Sequence, residues 1–383
     1  MPLRLASGHA DEGATMFEAS AEHAPMTGID EYLVHNYPQP MRVMWTTDPR
    51  AYERLWFTAQ DRVGDLLVMV GLGYYPNLNT AEAYAIVNHR GMHTTVRAHR
   101  SLGENRFDMR VGPINFEIIE PFKEWRLTLD ENEYGISYDL RWLDTKRSVF
   151  HRIAPGYITN ARVGGETAGY ETFGNQVGWV NVGGTRHELT EATFLGSRDH
   201  HWGVRDGVGG RGHYMGSSHA MSGQWVEFAD WSVWLHRIFY NLGDERPGTG
   251  TILARTHRLS FEPGTKLLAG GEIDMLMADG ETKTMTFERM GQQVAYLRCG
   301  MYGGPNGGTP GTDIWQGVYV GENVVSGETF DTNDPDVRSS IAGLDDIHAR
   351  YECDGEVAYG LIEPYETVCY DWCAQGIGGF SFL

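Results

Sequence analysis

Every second residue is apolar in Trp125-Arg126-Leu127-Thr128-Leu129-Asp130, and Ile136-Ser137-Tyr138-Asp139-Leu140-Arg141-Trp142 follows the same pattern. An extended chain turns successive side chains to opposite sheet faces, so these stretches are strands with one dry and one wet face. Glu133 to Gly135 forms the turn between them, and Ile114-Asn115-Phe116-Glu117-Ile118 reads as a third strand. Strands recurring about every ten residues are the signature of an antiparallel sandwich or barrel. The pattern returns in Trp225–Leu235, Thr251–Arg255, Glu272–Met277, Thr284–Glu288 and Asp313–Val320. Two short helices are expected. One starts at Asp48-Pro49, with Tyr52, Leu55 and Trp56 at helical spacing; the other starts at Pro335, with Val337, Ile341 and Leu344 on one stripe. A glycine-rich stretch over 164–216 separates the two strand-rich halves. The expected architecture is all-β, with two antiparallel domains side by side: an arm over 1–30, a domain over 31–194 and a second over 195–383.

The composition narrows the partners. With 31 basic and 51 acidic residues the net charge is −20, the wrong sign for a nucleic-acid backbone or an anionic membrane surface. Hydrophobic residues at 41 % and aromatics at 12 % supply a large core. No run approaches the roughly 18 apolar residues of a membrane span. The N-terminus lacks the apolar stretch of a signal peptide, so a cytoplasmic location is expected. Cys299, Cys353, Cys369 and Cys373 read as ordinary thiols, because no second close pair completes a zinc knuckle. Nucleotide cofactors are discounted: Gly71-Leu72-Gly73 runs into Pro76 without opening a helix, and Gly303 to Gly308 lacks a Gly-Lys-Ser/Thr ending.

The chemistry is concentrated in Gly196-Ser197-Arg198-Asp199-His200-His201-Trp202-Gly203-Val204-Arg205-Asp206. If this segment is extended, Arg198, His200 and Trp202 share one face while Asp199 and His201 share the other. A carboxylate beside an imidazole suits proton transfer near neutral pH. Equally, Arg198, Asp199, Arg205 and Asp206 could form a buried ion-pair knot. Both roles are expected in part, with the arginines as scaffold and Asp199 with a histidine as chemistry. Metal ligation by His200, His201, His213, His219 and His236 is disfavoured, because no metal-binding spacing appears. No metal is expected.

Gly-x-Arg-Asp-His-x-Trp-Gly-x-Arg resembles the motif of the two-domain lipocalin-like proteins, the AttH and carotenoid 1,2-hydratase (hydroxyneurosporene synthase) group. Gly73-Tyr74-Tyr75-Pro76-Asn77, Val111-Gly112-Pro113, Tyr170-Glu171, Gly178-Trp179 and Gly183-Gly184 fit the upstream part of that pattern. Serine commonly follows Asp-His in such proteins; here His201 stands in its place. The resemblance implies two calycin-like barrels or sandwiches and a cofactor-independent lyase or hydratase. Its substrate would be a small hydrophobic, aromatic alcohol or alkene. The reaction would be addition or elimination of water; the aromatic content and the extra His201 point to a close variant, retro-aldol cleavage such as formaldehyde loss from a lignin-derived aromatic. His201 or His200 would be the base, Asp199 would orient it, and Arg198 or Arg205 would stabilise an oxyanion. Tyr214 and His219 would be auxiliary donors, and Trp202, Trp225 and Trp234 would line the substrate pocket.

The competing reading is a lipocalin-like carrier, which needs an apolar cavity but no histidine/carboxylate pair inside it. A homodimer is compatible with either. A second histidine group, Asn88-His89-Arg90-Gly91-Met92-His93 with His99, reads as a solvated hairpin turning at Gly91, or else as part of the pocket rim.

Overall fold

The computed structural model describes residues 26, 28–35, 44–159, 162–205, 207–209, 221–235, 237–242, 251–263, 267–301, 315–342, 345–365 and 380–382. Strands account for 65 % of the described residues, so the all-β expectation holds. The first half carries β1 (Ala51–Asp61), β2 (Leu66–Tyr75), β3 (Thr80–His89), β4 (Met92–Ser101), β5 (Arg110–Val111), β6 (Ile114–Glu120), β7 (Glu124–Leu129), β8 (Ile136–Asp144), β9 (Val149–Thr159), β10 (Arg162–Val182), β11 (Thr185–Leu189) and β12 (Phe194–Val204). The second carries β13 (Met221–Glu227), β14 (Trp231–Trp234), β15 (Arg237–Tyr240), β16 (Ile252–Phe261), β17 (Leu268–Met277), β18 (Thr282–Tyr296), β19 (Val324–Asp331), helix α1 (Pro335–Ile341), β20 (Asp345–Cys353), β21 (Glu356–Tyr365) and β22 (Phe380–Phe382).

Two antiparallel sheets result. The first has the order β19-β4-β3-β2-β1-β12-β10-β8-β7-β6-β5, with β9 and β11 also paired to β10. It curls until β5 meets β3 and β4. Its interior is filled by Leu55, Phe57, Val68, Val70, Trp125, Leu127, Leu140 and Trp142. The second has the order β15-β14-β13-β21-β20-β18-β17-β16-β22, around a core that includes Ile273, Met285, Ile347 and Tyr351. The first sheet extends to Val204 and takes β19 from late in the chain, so its membership crosses residue 195.

A third apolar cluster joins the sheets. Trp56, Leu67, Met69, Tyr84, Ile86 and Phe173 of the first pack against Trp225, Trp234, Phe239, Ala295, Leu297 and Leu361 of the second. Polar ties cross the same seam: Asn88 Nδ2 donates to the carbonyls of Gln292 and Val294, each at 2.9 Å.

Several sequence expectations need correction. The helix at Asp48-Pro49 is β1, a strand whose eleven residues are all buried. One of its faces lines the barrel and the other the seam, so no wet face marks it as a strand. Trp225–Leu235 is two strands, β13 and β14, joined by a turn after Glu227. Trp315 to Val320 form no strand, while Asp313 lies outside the described residues. The helix at Pro335 is present, with the Asp334 side chain accepting from the Asp336 N–H at its start. The hairpin at Gly91 is present too, with positive φ at Arg90 and Gly91. It is not solvated throughout, because His93 and His99 are buried.

Candidate active site

The charged motif is β12, a strand held between β1 and β10. Its glycines are steric requirements. A Cβ on Gly196 would stand 1.9 Å from the Thr58 carbonyl oxygen, and one on Gly203 would stand 1.9 Å from that of Glu166. Gly203 also has a φ of 137°, a region that favours glycine. With the strand pinned on both sides, alternation sends Arg198 and His200 into the barrel and Asp199 and His201 to the seam. The named residues therefore divide between two faces as the alternation implies, and Arg198 and His200 do not lie with His201.

Arg198 does sit in a buried ion-pair knot, but its partners are Glu31 and Asp144 and not Asp199. It is fully buried, and its guanidinium meets both Asp144 oxygens at 3.0 and 2.9 Å and Glu31 at 3.1 Å. Tyr170 donates its hydroxyl hydrogen to Glu31, and Trp125 Nε1 donates to the same carboxylate at 2.7 Å. Glu31 thus anchors the N-terminal segment inside the barrel. Burial alone would push the Glu31 carboxyl up, but Arg198, Tyr170 and a backbone bond hold it below the usual value. Nearby, Glu53 Oε1 lies 2.5 Å from His35 Nδ1 and 3.1 Å from His200 Nε2. Trp202 stacks flat on His35, ring centroids 3.7 Å apart. Burial lowers the His200 pKa, outweighing the attraction of Glu53.

On the seam face, His201 sits between two carboxylates. Its Nδ1 is 3.3 Å from Asp199 Oδ2, and its Nε2 is 2.6 Å from Glu171 Oε1. His151 Nε2 lies 3.0 Å from Glu171 Oε2, out of hydrogen-bonding alignment, and Arg54 Nη2 lies 3.9 Å from Asp199 Oδ2. Burial pushes Asp199 up to about 6, against Arg54, His200, Arg205 and His151. It pushes Glu171 up to about 7, against His201, and it lowers His201 to about 4. These directions fit a carboxylic acid at Glu171 donating to a neutral His201 ring.

Aromatic rings frame the group. His151 and Trp234 have centroids 4.6 Å apart, and Trp56 and Trp225 are 5.2 Å apart. The Asp199 Oδ1, Trp225 Nε1 and Trp234 Nε1 atoms are buried with no hydrogen-bond partner among the described residues. From the second sheet Asp346 faces this group; burial, Glu363, Asp345 and Asp199 raise its pKa well above the usual value. Arg205 lies over the Tyr52 ring at 5.6 Å and is close enough to lower the Asp199 pKa. Tyr214 and His219 lie outside the described residues, as do Asp206, His213, His236, Cys369 and Cys373. Elsewhere between the sheets, a cavity of about 550 Å³ is bordered by Arg62, Lys146, Glu191, Glu227 and Asn241; Asp199, His200 and His201 are not among its walls.

Sequence reasoning missed Glu31, His35, Glu53, Arg54, His151 and Glu171 as site residues. Glu53-Arg54 was the available signal, two charges directly before the apolar run Leu55-Trp56-Phe57. Glu171 stood within the quoted Tyr170-Glu171 pair. The others are isolated in sequence. Two triplets, His35/Glu53/His200 and His151/Glu171/His201, have the donor types of a metal site.

A family model described as "Family of unknown function (DUF8625)" matches residues 26–241. No curated protein matches the chain. Among solved structures, an AttH-type protein from Nitrosomonas europaea is 10 % identical over 82 % of this chain and 91 % of its own, with a TM-score of 0.46. Kievitone hydratase from Nectria haematococca is 10 % identical over 82 % and 90 %, with a TM-score of 0.43. CghA with Sch210972 is 11 % identical over 90 % and 97 %, with a TM-score of 0.47. The AttH type named from the motif is among these similar structures.

Proposed function

The chain belongs to this family of unknown function, and from that premise we propose that it is a cofactor-independent lyase of the hydratase type, acting at the seam between its two sheets. The observation that carries this reading is the buried row Asp199–His201–Glu171, with contacts of 3.3 and 2.6 Å. Asp199 stands at ion-pair distance beside Nδ1 and favours a proton there, and Glu171 shares a proton with Nε2. In elimination, the His201–Glu171 pair removes the proton beside the leaving group. It returns a proton to the departing hydroxyl, which leaves as water; hydration runs the same steps backward. In the retro-aldol variant the pair takes the hydroxyl proton, the carbon–carbon bond breaks to release formaldehyde, and the carbanion is protonated by the same pair. Arg54 and Arg205 are the cations nearest Asp199 for stabilising an oxyanion.

Trp56, Trp225 and Trp234 form an aromatic wall beside the row, which supports a small hydrophobic or aromatic substrate. The unpartnered indole N–H groups and Asp199 Oδ1 suit the polar end of an alcohol. A carrier would bind such a molecule with no use for three buried proton-exchanging groups. The test is incubation of the protein with hydrophobic alcohols, alkenes and lignin-type dimers, read by mass spectrometry. Products differing from a substrate by the mass of water or formaldehyde support the lyase. Saturable binding without any product favours the carrier.

A further inference from the structure

The barrel face of β12 carries a second group of imidazoles and carboxylates that the acid–base reading does not use. We propose that His35, Glu53 and His200 form a site for one divalent transition-metal ion of the zinc class, which clips the N-terminal segment to the barrel. Their ligand atoms all lie within 4.8 Å of one another. Two imidazoles and a carboxylate form a donor set that suits zinc and its neighbours. Ligands about 2 Å from a metal stand about 3 Å apart. The 3.1 Å contact of His200 with Glu53 already has that spacing, and the 2.5 Å contact of His35 has to widen slightly.

Hydrogen bookkeeping favours a cation here. Tyr170 donates its hydrogen to Glu31 and accepts from Arg198 at 3.3 Å. It has no second hydrogen, so its 3.2 Å contact with His200 Nδ1 places the ring hydrogen on Nδ1. A neutral His200 then turns the Nε2 lone pair on Glu53 Oε1, which is also an acceptor. His35 differs: its Nε2 is 3.2 Å from Asp30 Oδ1 and its Nδ1 is 2.5 Å from Glu53 Oε1, two ring donors on two carboxylates, so a metal here displaces the Nδ1 proton. A cation between the three turns the opposed lone pairs of His200 and Glu53 into ligand bonds and takes the place of the His35 Nδ1 proton. The outer contacts are in place as well. Asp30 backs His35, Tyr170 backs His200, and Arg106 lies 3.4 Å from the second Glu53 oxygen. Such partners fix the orientation of metal ligands.

Charge points the same way. Asp30, Glu31, Glu53 and Asp144 contribute four negative charges to this end of the barrel, against two positive charges from Arg106 and Arg198. The charged His35 ring offsets one of the remaining two, and a divalent ion that displaces its proton offsets both. The clip follows from chain position, because His35 lies in the segment before β1, whereas Glu53 and His200 belong to β1 and β12. The inference is independent of turnover at His201.

The test uses chelator-stripped full-length protein, titrated with Co²⁺ by visible absorption and with Zn²⁺ by calorimetry. One ion per chain is expected, with slower proteolysis before Ala51 when Zn²⁺ is present. His35→Ala should abolish the site, and Tyr170→Phe should weaken it by about 10–100-fold. His151→Ala, which alters the other triplet, should leave it unchanged. No saturable binding, or binding lost in His151→Ala but kept in His35→Ala, overturns the proposal. If His35→Ala does not fold, the wild-type protein decides. Zn²⁺ must then shift the ring resonances of His35 and His200 and leave that of His151 in place; the reverse pattern overturns the site.

Discussion

Asp199 and His201 are two positions apart on one strand, and their side chains meet on the seam face with Oδ2 3.3 Å from Nδ1. A carboxylate at Nδ1 fixes the ring's tautomer and leaves Nε2 to exchange protons. Converting Asp199 to Asn keeps the shape but offers an amide where an acceptor is needed. Turnover of a substrate found by the mass screen should fall by about 10²–10⁴-fold, with KM little changed. Steady-state kinetics measures this, and wild-type kcat in Asp199→Asn would remove Asp199 from the mechanism.

On the opposite face Arg198 holds Glu31 and Asp144 in the barrel. Removing one partner of a buried ion pair leaves an uncompensated charge and typically costs about 3–5 kcal/mol. Arg198→Met should therefore lower the urea midpoint sharply. A stability loss within the range of an ordinary surface change, about 0.5 kcal/mol, would show that the knot is not structural.

Glu82 gives a pH prediction. It is buried, accepts from the Tyr75 hydroxyl at 2.5 Å and the Gly317 N–H at 3.0 Å, and burial pushes its pKa up to about 8. The folded protein holds this proton more tightly than the unfolded chain does. The Glu82 contribution is therefore full below about pH 4.5, the unfolded value, and is lost as pH rises through about 8. Glu82→Gln removes that dependence. The Tm of the variant minus that of wild type should grow between pH 5 and pH 8. A difference that stays constant would mean that Glu82 is not titrating as described.

How much was legible in the sequence depended on whether a strand had a wet face. β7 and β8 alternate because one side meets solvent, and they were readable directly. β1 is buried on both sides, so its apolar residues followed no two-residue rhythm and imitated a helix. The motif was legible because its charges are contiguous, and alternation alone separated Asp199 and His201 from Arg198 and His200. Their partners were hidden. Glu171 comes from β10, His151 from β9, Glu53 from β1 and His35 from the segment before it; only sheet registration brings them together.

The central claim is that proton transfer belongs to His201 on the seam and not to His200 in the barrel. Its most direct test is the turnover of His201→Asn measured beside ligand affinity in the same variant. The account predicts a kcat lower by about 10²–10⁴-fold, with folding and affinity retained. A His201→Asn protein that turns over substrate at the wild-type rate would contradict it.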